Sequence, residues 1–279
     1  MGWGGTFEHM ARIALNGRLL VPGKLEGIGR FTLRCFQGLV KERPEDEFLL
    51  IVDQPHDKMF ELGPNVRVKR MPIPGRRPWL LRWWFGWPLS AMLKMWKADA
   101  FVSLEGPVAT RMPAHFPQLT VIHDLNFEHR PEWLPKTWAN YYRSSFLGYA
   151  ERASLLGTVS EFSRQDLAKR YKMDAGSIRL FPNAADEHFR PSDDEAKRQA
   201  REEWTKGKRY WVYVGSVHPR KNIQGLLHAF GQYCQKGGQW DLLVVGVSMW
   251  SNDTSLRDEL IRDRVHLAGR LSNLSLIHI

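Results

Sequence analysis

Two cations stand side by side in "WVYVGSVHPRKNIQ", residues 211–224, where Arg220 and Lys221 follow Gly215 and Ser216 and precede Asn222. The apolar run before them reads as a strand and the periodic run after them as a helix. A helix start offers unpaired backbone N–H groups and the positive end of the helix dipole, both suited to an anion. Arg220 can fork two phosphate oxygens, and Lys221 supplies a compact point charge. Asn222 is a good N-cap. The same residues would also serve as a solvated basic turn before a capped helix. The Gly-x-x-x-x-Gly-Lys-Ser/Thr order of a Walker A loop is absent.

Two further stretches carry chemically capable groups. "TVIHDLNFEHRP" (120–131) sets His123 and Asp124 at the end of a strand-like run. The imidazole can donate to a sugar or phosphate oxygen, and the carboxylate can fix its tautomer or a neighbouring loop. A purely structural strand-end histidine fits the spacing as well. "GKLEGIGRF" (23–31) lies between the first strand and the first helix. Gly27 and Gly29 would let backbone come close to a ligand there, or would simply form a tight turn. The sequence has no Cys/His metal spacing, no Gly-x-Ser-x-Gly elbow and no nucleic-acid module of basic and stacking residues.

The elements that must position these groups alternate. Strand-like runs occupy 12–16, 47–53, 66–73, 98–104, 118–124, 155–160 and 177–183. Helices are expected over 29–42, after Pro135 and over 163–171, the last opening on a Ser163-to-Asp166 capping box. Such alternation predicts a doubly wound α/β sheet. A Pro- and Asp-rich junction follows at 182–195, where Ser192 and Glu195 would cap a charged helix. Strand, helix, strand, short helix and strand then recur as "YWVYVGS", "IQGLLHAFGQYCQ", "WDLLVVGV", "SLRDELIRD" and "VHLAGRL". Two α/β domains are expected, 10–190 and 191–273, the second short.

At 279 residues and 43% hydrophobic, the chain can bury a sizeable core, and its net charge of +10 favours phosphates, nucleic acid or an anionic membrane surface. Cys35 and Cys234 stand far apart and fit reduced core thiols rather than a disulfide framework. "RRPWLLRWWFGWPLSAMLKMWK" (76–97) puts Leu80, Trp83, Trp84 and Trp87 on one helical face, with Arg and Lys interspersed. That face is expected to form core or cleft wall, snorkelling its cations, with peripheral membrane contact as the alternative. Pro88 is expected to kink the helix. No apolar run reaches the ~18 residues of a membrane span. The first residues lack the basic start and apolar stretch of a signal peptide, and the strand behind them suggests Met10 as the true start.

Five stretches in register carry a family resemblance: "NGRLLVPGKLEGIGRF", "VIHDLNFEHRPEWLP", "GTVSEFSRQDLAKRY", "RLFPNAADEHFRP" and "YVGSVHPRKNIQGLLHAF". Together they resemble retaining glycosyltransferases of the GT-B fold, and among them the bacterial mannosyltransferase-like "group 1". The resemblance implies two Rossmann-like domains facing across a cleft, with a nucleotide-sugar donor held mainly by the C-terminal one. It implies that Arg220 and Lys221 neutralise the departing diphosphate and that Gly215 and Ser216 line the same pocket. His123 would contact the transferred sugar, the Gly27–Gly29 loop would approach phosphates or acceptor, and Asn183 would shape the interdomain side. Many relatives carry Arg at the place of Ser216 and Gly at that of Ala184. The implied reaction transfers a sugar with retention, using neither metal nor cofactor. GDP-mannose is the suggested donor and a glycan or lipid-linked molecule the acceptor. The implied setting is the cytoplasm or the inner face of the membrane. Cations aimed at the leaving diphosphate would stabilise the transition state more than the ground state.

Relatives carry, further along, a Glu-x-Phe-Gly-Leu-Pro-x-x-x-Glu-like signature whose glutamates grip the donor sugar and ribose. No such run occurs here. The second domain is therefore expected to be incomplete, and this chain an inactive or nearly inactive fragment of a transferase. "LSLIHI" (274–279) resembles translated sequencing-library DNA and is expected to be non-native, with a native last strand as the alternative. A GT-B epimerase or phosphorylase would need catalytic acids or a cofactor-lysine context that is not seen. A basic nucleotide- or nucleic-acid-binding α/β protein without transferase activity rests on the net charge alone, and nucleic acid is not expected as a partner.

Overall fold

Alternate residues of short apolar strands feed two separate cores, which is what a sheet covered on both faces requires. The computed structural model describes residues 10–23, 25–55, 57–71, 77–185, 189–216, 218–246, 261, 263–269 and 271. The chain divides into two compact units, Met1–Asn183 and Ala184–Ile279. The expected extension 1–9 and tail 274–279, and nearly all of the short helix expected at 255–263, lie outside the described residues.

In the first unit the strands are β1 (Arg12–Asn16), β2 (Glu47–Val52), β3 (Val66–Arg70), β4 (Ala100–Ser103), β5 (Gln118–Val121), β6 (Leu155–Thr158) and β7 (Arg179–Leu180). They form one parallel sheet in the order β3-β2-β1-β4-β5-β6-β7. The helices are α1 (Gly27–Glu42), α2 (Pro78–Trp96), the single turn α3 (Asn126–His129), α4 (Lys136–Arg152) and α5 (Glu161–Tyr171). Leu15, Phe48, Leu50 and Val52 pack with Phe36 and Val40 of α1. Ala14, Leu49, Ile51 and Phe101 pack with α2, α4 and α5 instead. Helices therefore cover both faces, the doubly wound arrangement that the alternation predicts.

Local details depart from the expected ones. The cap of α5 is Ser160, whose Oγ accepts from the Ser163 N–H at 3.1 Å, so the helix starts earlier than a cap at Ser163 would place it. In the second unit the cap is Asp193 rather than Ser192, accepting from the Ala196 N–H at 2.8 Å. Both shifts follow from the same competition, since any of several neighbouring Ser and Asp side chains can take the capping role. Helix α2 also corrects the one-face reading. Trp84 points into the core and is 1% exposed, whereas Trp83 and Trp87 are 43% and 65% exposed. The helix continues through Pro88, and the Phe85 carbonyl in the turn before it accepts from the Thr110 N–H at 2.9 Å.

The second unit holds α6 (Asp194–Thr205), β8 (Tyr210–Val214), α7 (Ile223–Gln235), β9 (Asp241–Val245) and β10 (Val265–Gly269). Its parallel sheet has the order β10-β9-β8, and Ile223, Leu227 and Phe230 of α7 pack on Leu242 and Val244. At the start of β9 the buried Asp241 carboxylate meets His266 at 2.8 Å, Arg264 at 3.2 Å and Lys208 at 3.5 Å. Burial pushes its pKa up, but hydrogen bonds from His266 and Arg264 together with the Lys208 charge outweigh that and hold it below the usual value.

Candidate functional site

Strand order reverses between β1 and β4, and open α/β sheets bind ligands at the carboxyl ends of strands beside such a reversal. A polar network fills that point. Asn16, the last residue of β1, donates through Nδ2 to Ser103 Oγ at 3.0 Å and to Glu105 Oε1 at 2.6 Å. Arg18 forks the same carboxylate, Nε reaching Oε1 at 2.9 Å and Nη2 pairing with Oε2. Both partners are almost wholly buried. Burial discourages the Arg18 charge, yet Glu105 in contact and Asp53 beyond it overcome that and hold the guanidinium more firmly protonated than usual.

His123 stands two residues past β5 at the same sheet edge. Its Nε2 lies 2.9 Å from the Leu104 carbonyl, and its ring meets Phe31 edge-on with centroids 5.0 Å apart. A carbonyl can only accept, so Nε2 carries the proton. Burial lowers the ring's pKa below 6.5, more than Leu104, Asp124 and Glu105 raise it. The neutral ring then presents Nδ1 as an acceptor. The expected donation to a sugar or phosphate oxygen is thereby corrected: the donor proton is already spent on Leu104. Asp124 serves the loop rather than the ring, accepting from the Asn126 N–H at 3.1 Å and its Nδ2 at 2.8 Å.

Gly27 and Gly29 lie inside the first turns of α1 rather than in the loop before it, which corrects their expected setting. At Gly29 an added Cβ would sit 2.9 Å from the Leu19 carbonyl oxygen and 2.8 Å from Leu25, so its bareness serves close packing of helix on loop. Gly27 is exposed with open space around it, and α1 begins without a side-chain cap, leaving its first N–H groups unclaimed by a cap.

In the second unit β8 delivers the chain to the Gly215–Asn222 segment. The Gly215 N–H donates to Val245 O at 2.9 Å, and the Tyr213 hydroxyl donates to Ser216 O at 3.1 Å. Gly246, at φ 147°, passes so near that a Cβ there would lie 1.8 Å from Gly215 O. Only glycine fits. Pro219–Lys221 form one 3-10 turn, in which the Lys221 N–H donates to His218 O at 2.8 Å and the Arg220 N–H to His218 Nδ1 at 3.2 Å. His218 thus folds onto its own loop. Asn222 caps α7 as expected, its Oδ1 accepting from the Gly225 N–H at 3.3 Å. Arg220 and Lys221 stand exposed just before the start of that helix. Burial pushes the Tyr213 phenol up while the nearby Arg220 charge pulls it down.

Gly215, Ser216, Arg220 and Lys221 therefore share one edge of the second unit, and His123 shares an edge of the first with Asn16, Arg18 and Glu105. Asn183 is exposed as the last residue of the first unit. A hollow of about 310 Å³, lined by Lys197, Arg201, Arg209, Tyr210 and Trp240 among others, involves the first residue of β8, at the end opposite the Gly215 segment. Asn16, Arg18, Glu105 and Gly246 escape sequence reasoning. The available signal was a polar residue directly after each apolar run, but Arg18 and Glu105 are 87 positions apart and nothing in the sequence pairs them.

Residues 25–189 match the profile of glycosyltransferase family 4. The chain belongs to that family. The family 4 segment contains Gly27, Gly29, Glu105, His123 and Asn183, while Arg18 and the Gly215–Lys221 segment lie outside it. Over 137 residues the chain is 28% identical to O-antigen chain mannosyltransferase B of Escherichia coli. That overlap covers 48% of this chain and 36% of the relative, so the chain spans about a third of that protein's length. Among solved structures, WaaG, a glycosyltransferase involved in lipopolysaccharide biosynthesis, aligns with a TM-score of 0.66 at 16% identity, over 94% of this chain and 71% of that one. Anabaena Alr3699/HepE in complex with UDP and glucose aligns with a TM-score of 0.61 at 17% identity, over 95% and 70%. These likenesses show the fold, the α/β architecture of GT-B glycosyltransferases.

Proposed function

We propose that the chain belongs to an enzyme that moves a hexose, with retention, from a nucleotide-diphosphate donor to a glycan or lipid-linked acceptor in the cytoplasm. The observation that carries this reading is the family 4 match over 25–189, because it covers the sheet edge where His123 stands. Chemistry supports the division of roles. Breaking a glycosyl–phosphate bond places negative charge on the leaving diphosphate, and the exposed Arg220 and Lys221 at the start of α7 can meet it. His123, neutral and with Nδ1 accepting, suits a sugar hydroxyl rather than a phosphate. Asn16, Arg18 and Glu105 hold the strand ends around it.

The E. coli relative is a mannosyltransferase and the Anabaena neighbour holds UDP and glucose, so GDP-mannose and UDP-glucose are the donors to compare. Equilibrium binding of each to this chain, beside a labelled oligonucleotide and under salt titration, tests the reading. Saturable binding of one nucleotide sugar that survives added salt is expected. Salt-steep oligonucleotide binding with no nucleotide-sugar binding would instead favour a basic nucleic-acid-binding protein.

A further inference from the structure

The hollow of about 310 Å³ in the second unit opens at the amino ends of β8 and β9, where Tyr210 pairs in register with Asp241. Its wall sorts by chemistry. Helix α6 lines it with Ala196 and Ala200, whose small side chains leave the space open. The same helix adds Lys197 and Arg201, four residues apart and so neighbours along one face. Arg209, directly before β8, brings a third cation, and Tyr210 and Trp240 bring aromatic surface. Trp240 leans on Trp211 with ring centroids 4.9 Å apart, and the Arg209 guanidinium lies 5.8 Å from the Trp240 centroid. Among the described residues no Asp or Glu lines the hollow. Lys197 pairs with the exposed Asp194 at 3.2 Å, whereas among the described residues no carboxylate pairs with Arg201 or Arg209. Burial pushes the Tyr210 phenol up, the Arg201 charge pulls it down, and Glu203, which is not part of the wall, pushes it up again.

We infer that this hollow binds a small aromatic anion, of the class of a nucleoside monophosphate, at a site separate from the Gly215–Asn222 segment. Each part of such a ligand has a matching part of the wall. A base offers a π face to Trp240, and stacking of this kind tolerates any base. A phosphate can be forked by Arg201 or Arg209. A bare phosphate would leave the aromatic surface uncovered, and an uncharged ring would leave three cations facing one another. The volume stands at the lower end of the about 300–1,000 Å³ of small-molecule pockets, which suits a mononucleotide rather than a nucleic-acid strand. Its position keeps it apart from the proposed donor loop. Strands advance about 3.3 Å per residue, so the five residues of β8 set the hollow roughly 16 Å from Gly215. Open α/β sheets hold their principal ligand at the carboxyl ends of the strands, and this hollow lies at the amino ends. The inference stands on the second unit alone and does not depend on the transferase reading.

Fluorine NMR of the chain carrying fluorotryptophan tests it, with the Trp240 resonance assigned through Trp240→Phe. Adenosine monophosphate is expected to shift that resonance saturably, and inorganic phosphate or glucose phosphate to bind at least about tenfold more weakly. Arg201→Gln with Arg209→Gln should weaken the monophosphate about tenfold or more. Ala196→Leu fills the hollow, leaves every cation in place and should abolish the shift. Arg220→Ala/Lys221→Ala should leave the Trp240 titration as it is. No Trp240 shift in the unaltered chain, or an undiminished one in the Arg201/Arg209 variant, would overturn the inference. Equal affinity for glucose phosphate would remove the aromatic wall from recognition and overturn it too. Loss of the shift in the Arg220/Lys221 variant would assign the binding to the donor loop instead.

Discussion

His123 offers one proton and has already placed it, on the Leu104 carbonyl, so what remains for chemistry is an acceptor. Burial also holds its pKa below 6.5, which couples the ring to stability. As pH falls, the unfolded chain takes up a proton near 6.5 and the folded chain only lower down, so stability declines with acid across that window and is level above it. NMR titration should show the ring titrating below 6.5, and His123→Gln should flatten that part of the acid limb. An unaltered slope would remove the ring from the cause. Glu105 and Arg18 make a sharper demand. Glu105→Ala leaves a guanidinium buried without its partner and should cost the first unit about 3–5 kcal/mol in denaturant unfolding, whereas Arg18→Met with Glu105→Leu should cost far less. Equal losses would mean that the pair is mere packing. The places of His123, Arg220, Lys221 and Asn222 at a strand end and a helix start were legible in the sequence because such edges are local features. Arg18, Glu105 and Gly246 were not, because their roles exist only once distant strands lie side by side.

Helices and strands were legible wherever apolar contrast is sharp. The span of α7, Ile223–Gln235, coincides with the run read from its periodicity, and Gly237 and Gly238 stop it as expected. Helix α2 was placed but not oriented. Its residues are apolar nearly all round, so no stripe tells core from surface, and four large side chains were grouped that the fold divides. The division has a measurable consequence. Trp84→Ala should destabilise the first unit by about 3–5 kcal/mol through the cavity it opens. Trp83→Ala, one residue away on the exposed side, should stay within about 0.5 kcal/mol. Comparable losses from the two would contradict the orientation of α2. Gly27 and Gly29 show the same limit from the other direction, because a glycine pair reads alike whether it forms a loop or opens a helix.

Across the whole molecule, a net charge of +10 favours anionic ligands, and under the proposed function a donor diphosphate would meet the second unit. The charge alone would have served a nucleic-acid-binding protein equally well. The proposed donor site rests on the exposed Arg220 and Lys221 just before the capped helix α7. The most direct test is calorimetric titration of the preferred nucleotide sugar into the unaltered chain and into Arg220→Ala/Lys221→Ala. Charge-assisted hydrogen bonds contribute about 1.5–3 kcal/mol each, so the double variant is expected to bind at least about tenfold more weakly. Unchanged affinity in a correctly folded double variant would contradict the donor site.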